Sequence, residues 1–281
     1  MFVWTNPPPG APRPGLGDPL PSSYKPPINK GGQPVDEKDG KHLLTILAGP
    51  SPYQIYLARA MANAATTVPG NFLRIVTSVK NQVPRHLQGM FTQGGGFTGA
   101  TIDRWTRTIY AQPAPGLRME TRLEYALHEA VHLFADPHAP AARSCPTLCI
   151  GTFQRTYGRG LGEGTTQVIT EDVMDAQGIS RYYRDRPYDA FTPPVREIIK
   201  IFTLDTVARA YFFGDVNTLT AAMDWRWGPD AWRVVARLTS QGDTKKALDE
   251  IKKLEAAHVQ RFQLRGPKGD FPSPSRTRMY A

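Results

Sequence analysis

From Tyr125 to Phe134 the chain reads YALHEAVHLF, and this run limits the possible folds more than any other. Two histidines and a glutamate stand among Tyr125, Ala126, Leu127, Ala130, Val131, Leu133 and Phe134, with no further charge and no Pro or Gly to stop a helix. A helix of this composition has to bury most of its surface, and each ionisable group it takes inside then needs a partner. At 3.6 residues per turn, positions four apart lie about 40° from each other around the helix and one turn up, so His128 and His132 can aim imidazole nitrogens at one cation. Glu129 lies about 100° further round; it is poorly placed to join that pair but close enough to act on a water in an open coordination position. The spacing predicts two metal ligands, His128 and His132, and a general base, Glu129, on a buried helix. The alternative is a core helix whose histidines are satisfied by hydrogen bonds.

A catalytic Zn2+ takes three protein ligands and leaves a fourth position for water. Two residues are serious candidates for the third. Glu163, in GLGEGTTQVITEDV, stands 31 positions after His132 at the start of an expected helix whose Val168, Ile169 and Val173 can pack on the first. His138, in HEAVHLFADPH, stands six positions after His132. Glu171 is a weaker third choice. With any of these sets, zinc-dependent peptide-bond hydrolysis is the expected reaction: Glu129 takes the proton as water attacks the carbonyl and later returns it to the leaving amine. Tyr157, Tyr182, Tyr183 and His258 are candidates for an additional oxyanion donor, although each taken singly reads better as a surface or packing side chain.

HEAVH followed by GLGEGTTQVIT resembles the HExxH plus EGxTE arrangement of bacterial gluzincin-like metallopeptidases, and AYFFGDVNTLTAAM is similar to the helical segment that follows in such proteins. The resemblance covers roughly residues 120 to 225 and implies a zincin-like peptidase with Glu163 as the third zinc ligand. Several members accompany polymorphic toxins or the cargo of contractile injection systems, which implies an exported effector with a protein substrate and a possible immunity protein. Gln167 replaces the second Glu of EGxTE and could orient a ligand histidine only through its amide oxygen. The metzincin pattern HExxHxxGxxH, which would use His138, is departed from at Ala135, where that family has Gly, and Met174 lies in an expected helix rather than a Met-turn.

Residues 6 to 40 are dense in Pro and Gly and offer few large apolar side chains, so they read as an extended arm or linker that a secretion-machine carrier could accommodate. The opening MFVWTNPPPGAPRPG has neither the basic start nor the apolar core of a secretory signal. The expectation is a cytoplasmic protein in its producer, or one exported by a specialised system. No apolar run is long enough to cross a bilayer. Net charge is +9 with pI near 9.6, but Lys and Arg are spread along the chain, which suits a solvated surface better than a nucleic-acid footprint. A basic nucleic-acid or partner-binding protein with a structural zinc is the rival reading, and a cytoplasmic housekeeping metallopeptidase is another. The two cysteines, Cys145 and Cys149, are too few for a thiolate zinc site and fit either a local disulfide or free thiols.

The expected fold class is α+β and zincin-like: a small N-terminal β-containing subdomain, a mostly helical C-terminal one, and the metal cleft between them. The expected boundaries are an arm over 1–40, a peptidase domain over 41–265 divided into 41–136 and 137–265, and a basic tail over 266–281. HLLTILAG from His42 reads as a buried strand or short helix, SPYQIYLARAMANAATTV as a helix, and NFLRIVTSV and TIDRWTRTIYAQ as strands, with a hairpin turn at Gly94 to Gly96. Strand TIDRWTRTIYAQ is also a candidate edge for pairing with an extended substrate. Further helices are expected over Glu120–Ala135, Gly164–Ala176, Pro194–Phe213, Val216–Asp224, Asp230–Thr239 and Thr244–Phe262.

Overall fold

The computed structural model describes residues 37–67, 74–77, 100–103, 108–111, 119–135, 151–179 and 188–265. Helices dominate them: α1 (Glu37–Ala48), α2 (Gln54–Thr67), α3 (Met119–Phe134), α4 (Thr152–Ala176), α5 (Thr192–Phe202), α6 (Leu204–Phe213), α7 (Val216–Trp227), α8 (Trp232–Ser240) and α9 (Thr244–Arg265). Three strands of four residues each, β1 (Arg74–Thr77), β2 (Ala100–Asp103) and β3 (Thr108–Ala111), form one small sheet in the order β1-β3-β2. β1 runs parallel to β3, and β2 pairs antiparallel with it, Ile102 opposite Ile109.

This overturns the expected α+β division into a β-containing N-terminal subdomain and a helical remainder. The body is helical from its start, and the short sheet lies against α1 and α3 rather than forming a half of its own. HLLTILAG was ambiguous because a short apolar run suits either kind of element. Here it completes α1, which begins at Glu37, inside the stretch expected as arm, and buries Leu43, Ile46 and Leu47 at helical spacing. α2 lies where expected but buries Tyr53, just before its start, with Leu57 and Ala60, leaving Ile55 exposed. Nor does the pair His128 and His132 sit between two subdomains: α3 and α4 pack directly on each other inside the helical body.

α4 is the centre of that body and touches α1, α3, α5, α6, α7 and α8. It starts at Thr152, well before the expected Gly164, because the glycines that hide it in the sequence are used for packing. Gly158 breaks the helix at φ 83°, ψ 171°, a conformation that a side chain would strain. Beyond the break, a Cβ on Gly160 would overlap the backbone of Thr239 and Ser240 at the end of α8. Ser240 Oγ accepts the Gly160 N–H at 3.0 Å, capping the restarted helix from another element. Phe153 and Tyr157 anchor the first part of α4 against Tyr211 and Trp232.

The single helix expected over Pro194–Phe213 is two. Thr203, at φ 69°, ends α5 and accepts the Thr206 N–H through its Oγ at 3.4 Å to cap α6. Among the described residues no helix is long and apolar enough to cross a membrane. The hairpin turn at Gly94 to Gly96, Cys145, Cys149, the basic tail 266–281 and residues 1–36 of the arm lie outside the described residues.

Gly160→Ala is expected to force α4 and α8 apart and to destabilise the fold by about 1–3 kcal/mol, the range for overpacking a filled contact. Thermal denaturation measures it, and an unchanged midpoint would contradict the close approach described.

Candidate metal centre

α3 runs from Met119 to Phe134, and its buried residues Ala126, Leu127, Ala130, Val131, Leu133 and Phe134 fix its rotation in the core. That rotation carries His128, 2% exposed, and His132 one turn later toward α4. Glu163 rises from α4 one turn after the break at Gly158 and meets both. His132 Nε2 lies 3.1 Å from His128 Nε2 and 3.1 Å from Glu163 Oε2, and His128 Nε2 lies 3.3 Å from the same oxygen.

These three separations test whether the residues fit a cation. Ligands about 2.0–2.1 Å from a tetrahedral zinc stand roughly 3.3 Å apart along each edge. The observed triangle matches one face of such a tetrahedron. Its atoms are two imidazole nitrogens and a carboxylate oxygen, the donor set that zinc and similar ions take. His128, His132 and Glu163 can hold a metal ion.

The outer nitrogens of both rings are engaged, and their partners determine where each ring proton sits. Gln167 Nε2 donates to Glu124 Oε1 at 2.7 Å and to Glu171 Oε1 at 3.3 Å, so the amide oxygen is left to face His128 Nδ1 at 3.0 Å. His128 Nδ1 therefore carries the proton. Thr166 Oγ1 donates to Gly162 O at 2.9 Å and accepts from His132 Nδ1 at 3.2 Å and from the Tyr211 hydroxyl at 2.6 Å. In the neutral state each imidazole thus turns an unprotonated Nε2 toward Glu163. Two imidazole lone pairs and a carboxylate oxygen converging at this spacing suit a shared proton or a cation.

The charge balance follows the same geometry. Burial alone pushes Glu163 up, but the charge of His132 and the hydrogen bonds of both histidines hold it well below the usual carboxylate range. Burial pushes His128 down, and the Glu163 carboxylate, helped by Glu129 and Gln167, more than reverses this and leaves it raised. Glu124 and Glu171 are also buried, and Arg196 on α5 reaches this network, donating to Glu171 Oε2 at 2.7 Å and to Asp172 Oδ1 at 3.0 Å.

Tyr188, in the turn before α5, stacks on His128 with ring centroids 4.5 Å apart and planes 3° from parallel. Burial, with the charges of Glu163 and Glu129 next, holds its hydroxyl well above the ordinary tyrosine value. The turn is pressed against α4 so closely that a Cβ on Gly164 would come within 2.7 Å of Phe191 O.

Of the residues singled out in the sequence, His128, His132 and Glu163 converge, and Glu129 is half-buried beside them, near enough for its charge to act on His128. Gln167 meets His128 through its amide oxygen, as its chemistry requires. Glu171 is not a donor in this set; it accepts from Arg196 and Gln167 instead. Tyr157 is a packing residue whose hydroxyl donates to Val216 O at 3.0 Å and meets Thr220 Oγ1 at 2.8 Å. His258 packs with Trp225 and Phe262 where α9 meets α7. His138, Tyr182 and Tyr183 lie outside the described residues. Sequence reasoning missed Glu124, Thr166, Tyr188 and Tyr211. Glu124 stands one turn before His128 and Thr166 one turn after Glu163, so helical spacing alone could have suggested those two. Comparison with family models, characterised proteins and solved structures finds no match.

Two outcomes are expected. In metal-free protein, the raised His128 contributes stability below its unfolded value near 6.5 and loses it as pH rises through its folded value, while the depressed Glu163 contributes above 4.5 and loses it on acidification. The cluster therefore stabilises most between those two values, and stabilisation by added metal grows above that window as the competing proton leaves; thermal midpoints against pH, with and without chelator, check both signs. Thr166→Val, which deprives His132 Nδ1 of its acceptor, is expected to weaken metal binding about 10–100-fold by chelator competition.

Proposed function

We propose that this protein is a zinc-dependent peptidase of the gluzincin kind, with His128, His132 and Glu163 as zinc ligands and Glu129 as general base. The observation that supports this best is the triangle of His128 Nε2, His132 Nε2 and Glu163 Oε2 at 3.1–3.3 Å, set beside a glutamate next in sequence to the first ligand. A catalytic centre needs three protein ligands with an open fourth position, and three is the number that converges among the described residues. The largely enclosed carboxylate of Glu163, with buried Glu124 behind the Gln167 amide, makes a divalent cation a favourable guest.

Each side chain then has a distinct task. Gln167 and Thr166 hold the two imidazoles with Nε2 free to bind. Glu163 supplies an anionic ligand and lowers the net charge of the bound ion. Zinc, when bound, supplies Lewis acidity, which makes a water more acidic and a carbonyl more electrophilic. Glu129 accepts the proton released as water attacks and returns it to the departing amine, so one carboxyl serves as base and then as acid.

Glu129→Gln is expected to lower hydrolysis of a fluorogenic peptide or casein substrate about 10²–10⁴-fold while zinc, by elemental analysis, stays stoichiometric. Full activity in that variant would exclude Glu129 as the base. Absence of zinc from Glu163→Ala, with zinc retained by His138→Ala, would fix the third ligand, and the reverse result would reassign it.

A further inference from the structure

Gln167 is a symmetric-looking group in a position where its two ends have opposite consequences. If its oxygen faces His128, the imidazole proton sits on Nδ1 and the Nε2 lone pair is free for the metal. If the amide were turned over, its NH2 would face Nδ1, the proton would move to Nε2, and the ligand atom would be lost. A carboxylate at this position would accept from His128 whichever way it turned. An amide needs something to hold it.

The surrounding groups provide that restraint. Glu124 Oε1 takes one Gln167 N–H at 2.7 Å, Glu171 Oε1 takes the other at 3.3 Å, and both carboxylates are buried. An ionised carboxylate only accepts, so neither can face the amide oxygen without repulsion. Arg196 in turn anchors Glu171 through Oε2 at 2.7 Å and reaches Asp172 at 3.0 Å, tying the pair to α5. Glu124 stands on α3, one turn before His128, so ligand and restraint belong to the same helix.

We propose that Glu124 and Glu171, the latter anchored by Arg196, are positioning residues that lock the orientation of the Gln167 amide and so select the metal-binding tautomer of His128. The effect on metal affinity rests on the metal-centre reading above; the tautomer does not.

The experiment uses the full-length protein labelled with 15N in histidine, stripped of metal and held at alkaline pH, where the imidazoles are neutral. Long-range 1H–15N spectra then report which ring nitrogen carries the proton, and chelator competition reports zinc affinity. Wild type is expected to show His128 protonated on Nδ1. Glu124→Met, which removes the shorter acceptor at similar volume, is expected to mix the tautomers and to weaken zinc at least about tenfold. Gln167→Glu, whose carboxylate accepts in either orientation, removes the need for a lock, so adding it to Glu124→Met is expected to restore Nδ1 protonation and zinc affinity. The proposal is overturned by an Nε2 proton in wild type, by a Glu124→Met protein with unchanged tautomer and affinity, or by a double variant, Glu124→Met with Gln167→Glu, whose tautomer is no better defined than that of Glu124→Met alone. Should Glu124→Met fail to fold, Glu171→Met, which removes the other acceptor, is read in the same two directions. A wild type with the stated tautomer but no zinc affinity would sink the metal reading and leave the amide lock standing.

Discussion

Everything at the centre of this protein depends on three side-chain atoms of two helices meeting at one point. Two imidazole nitrogens and a carboxylate oxygen, from α3 and α4, meet at 3.1–3.3 Å. The packing of the two helices sets that spacing. Leu127, Val131 and Phe134 on α3 and Val168, Ile169 and Val173 on α4 are all fully buried in one core. Each such side chain contributes about 1.5–3 kcal/mol on burial, which fixes the helices against each other and the three atoms with them.

α4 is unusual for a helix enclosed on nearly every side, since many of its buried positions are polar. It remains stable because each polar group is satisfied close by. Thr165 and Thr170 return their hydroxyls to carbonyls four residues earlier, at 2.7 and 2.9 Å. Thr166 does the same and uses its remaining capacity on His132 and Tyr211. Gln167 spends both amide hydrogens and its oxygen. Glu163, Thr166 and Gln167 lie on one helical face, so a stretch of five residues delivers the carboxylate that meets both histidines and the partners of both rings.

The meeting of His128, His132 and Glu163 was legible in the sequence because its logic is local: the two histidines obey the helical period, and Glu163 sits in a short recognisable run. The fold was less so. HLLTILAG carries an apolar density that suits strand and helix alike, and only its contacts within the body decide for α1. The glycines around Glu163 lower helix propensity, yet α4 extends across them because Gly160 is the residue that permits contact with α8. Thr203 breaks an apparently continuous helix through a backbone angle that nothing in its composition announces. Tyr188 reaches His128, and Tyr211 reaches Thr166, from distant segments, and no spacing rule connects them.

The tight approaches at Gly160 and Gly164 also have a mechanical meaning. One glycine seats α4 on the end of α8 and the other seats it under the carbonyl of Phe191, so the helix is indexed along its axis at two points on either side of Glu163. A slip of a single residue would move it about 1.5 Å, enough to take the Glu163 carboxylate out of reach of the two histidines. The pair works as a detent, and the position of one oxygen is set by the thickness of two missing methyl groups.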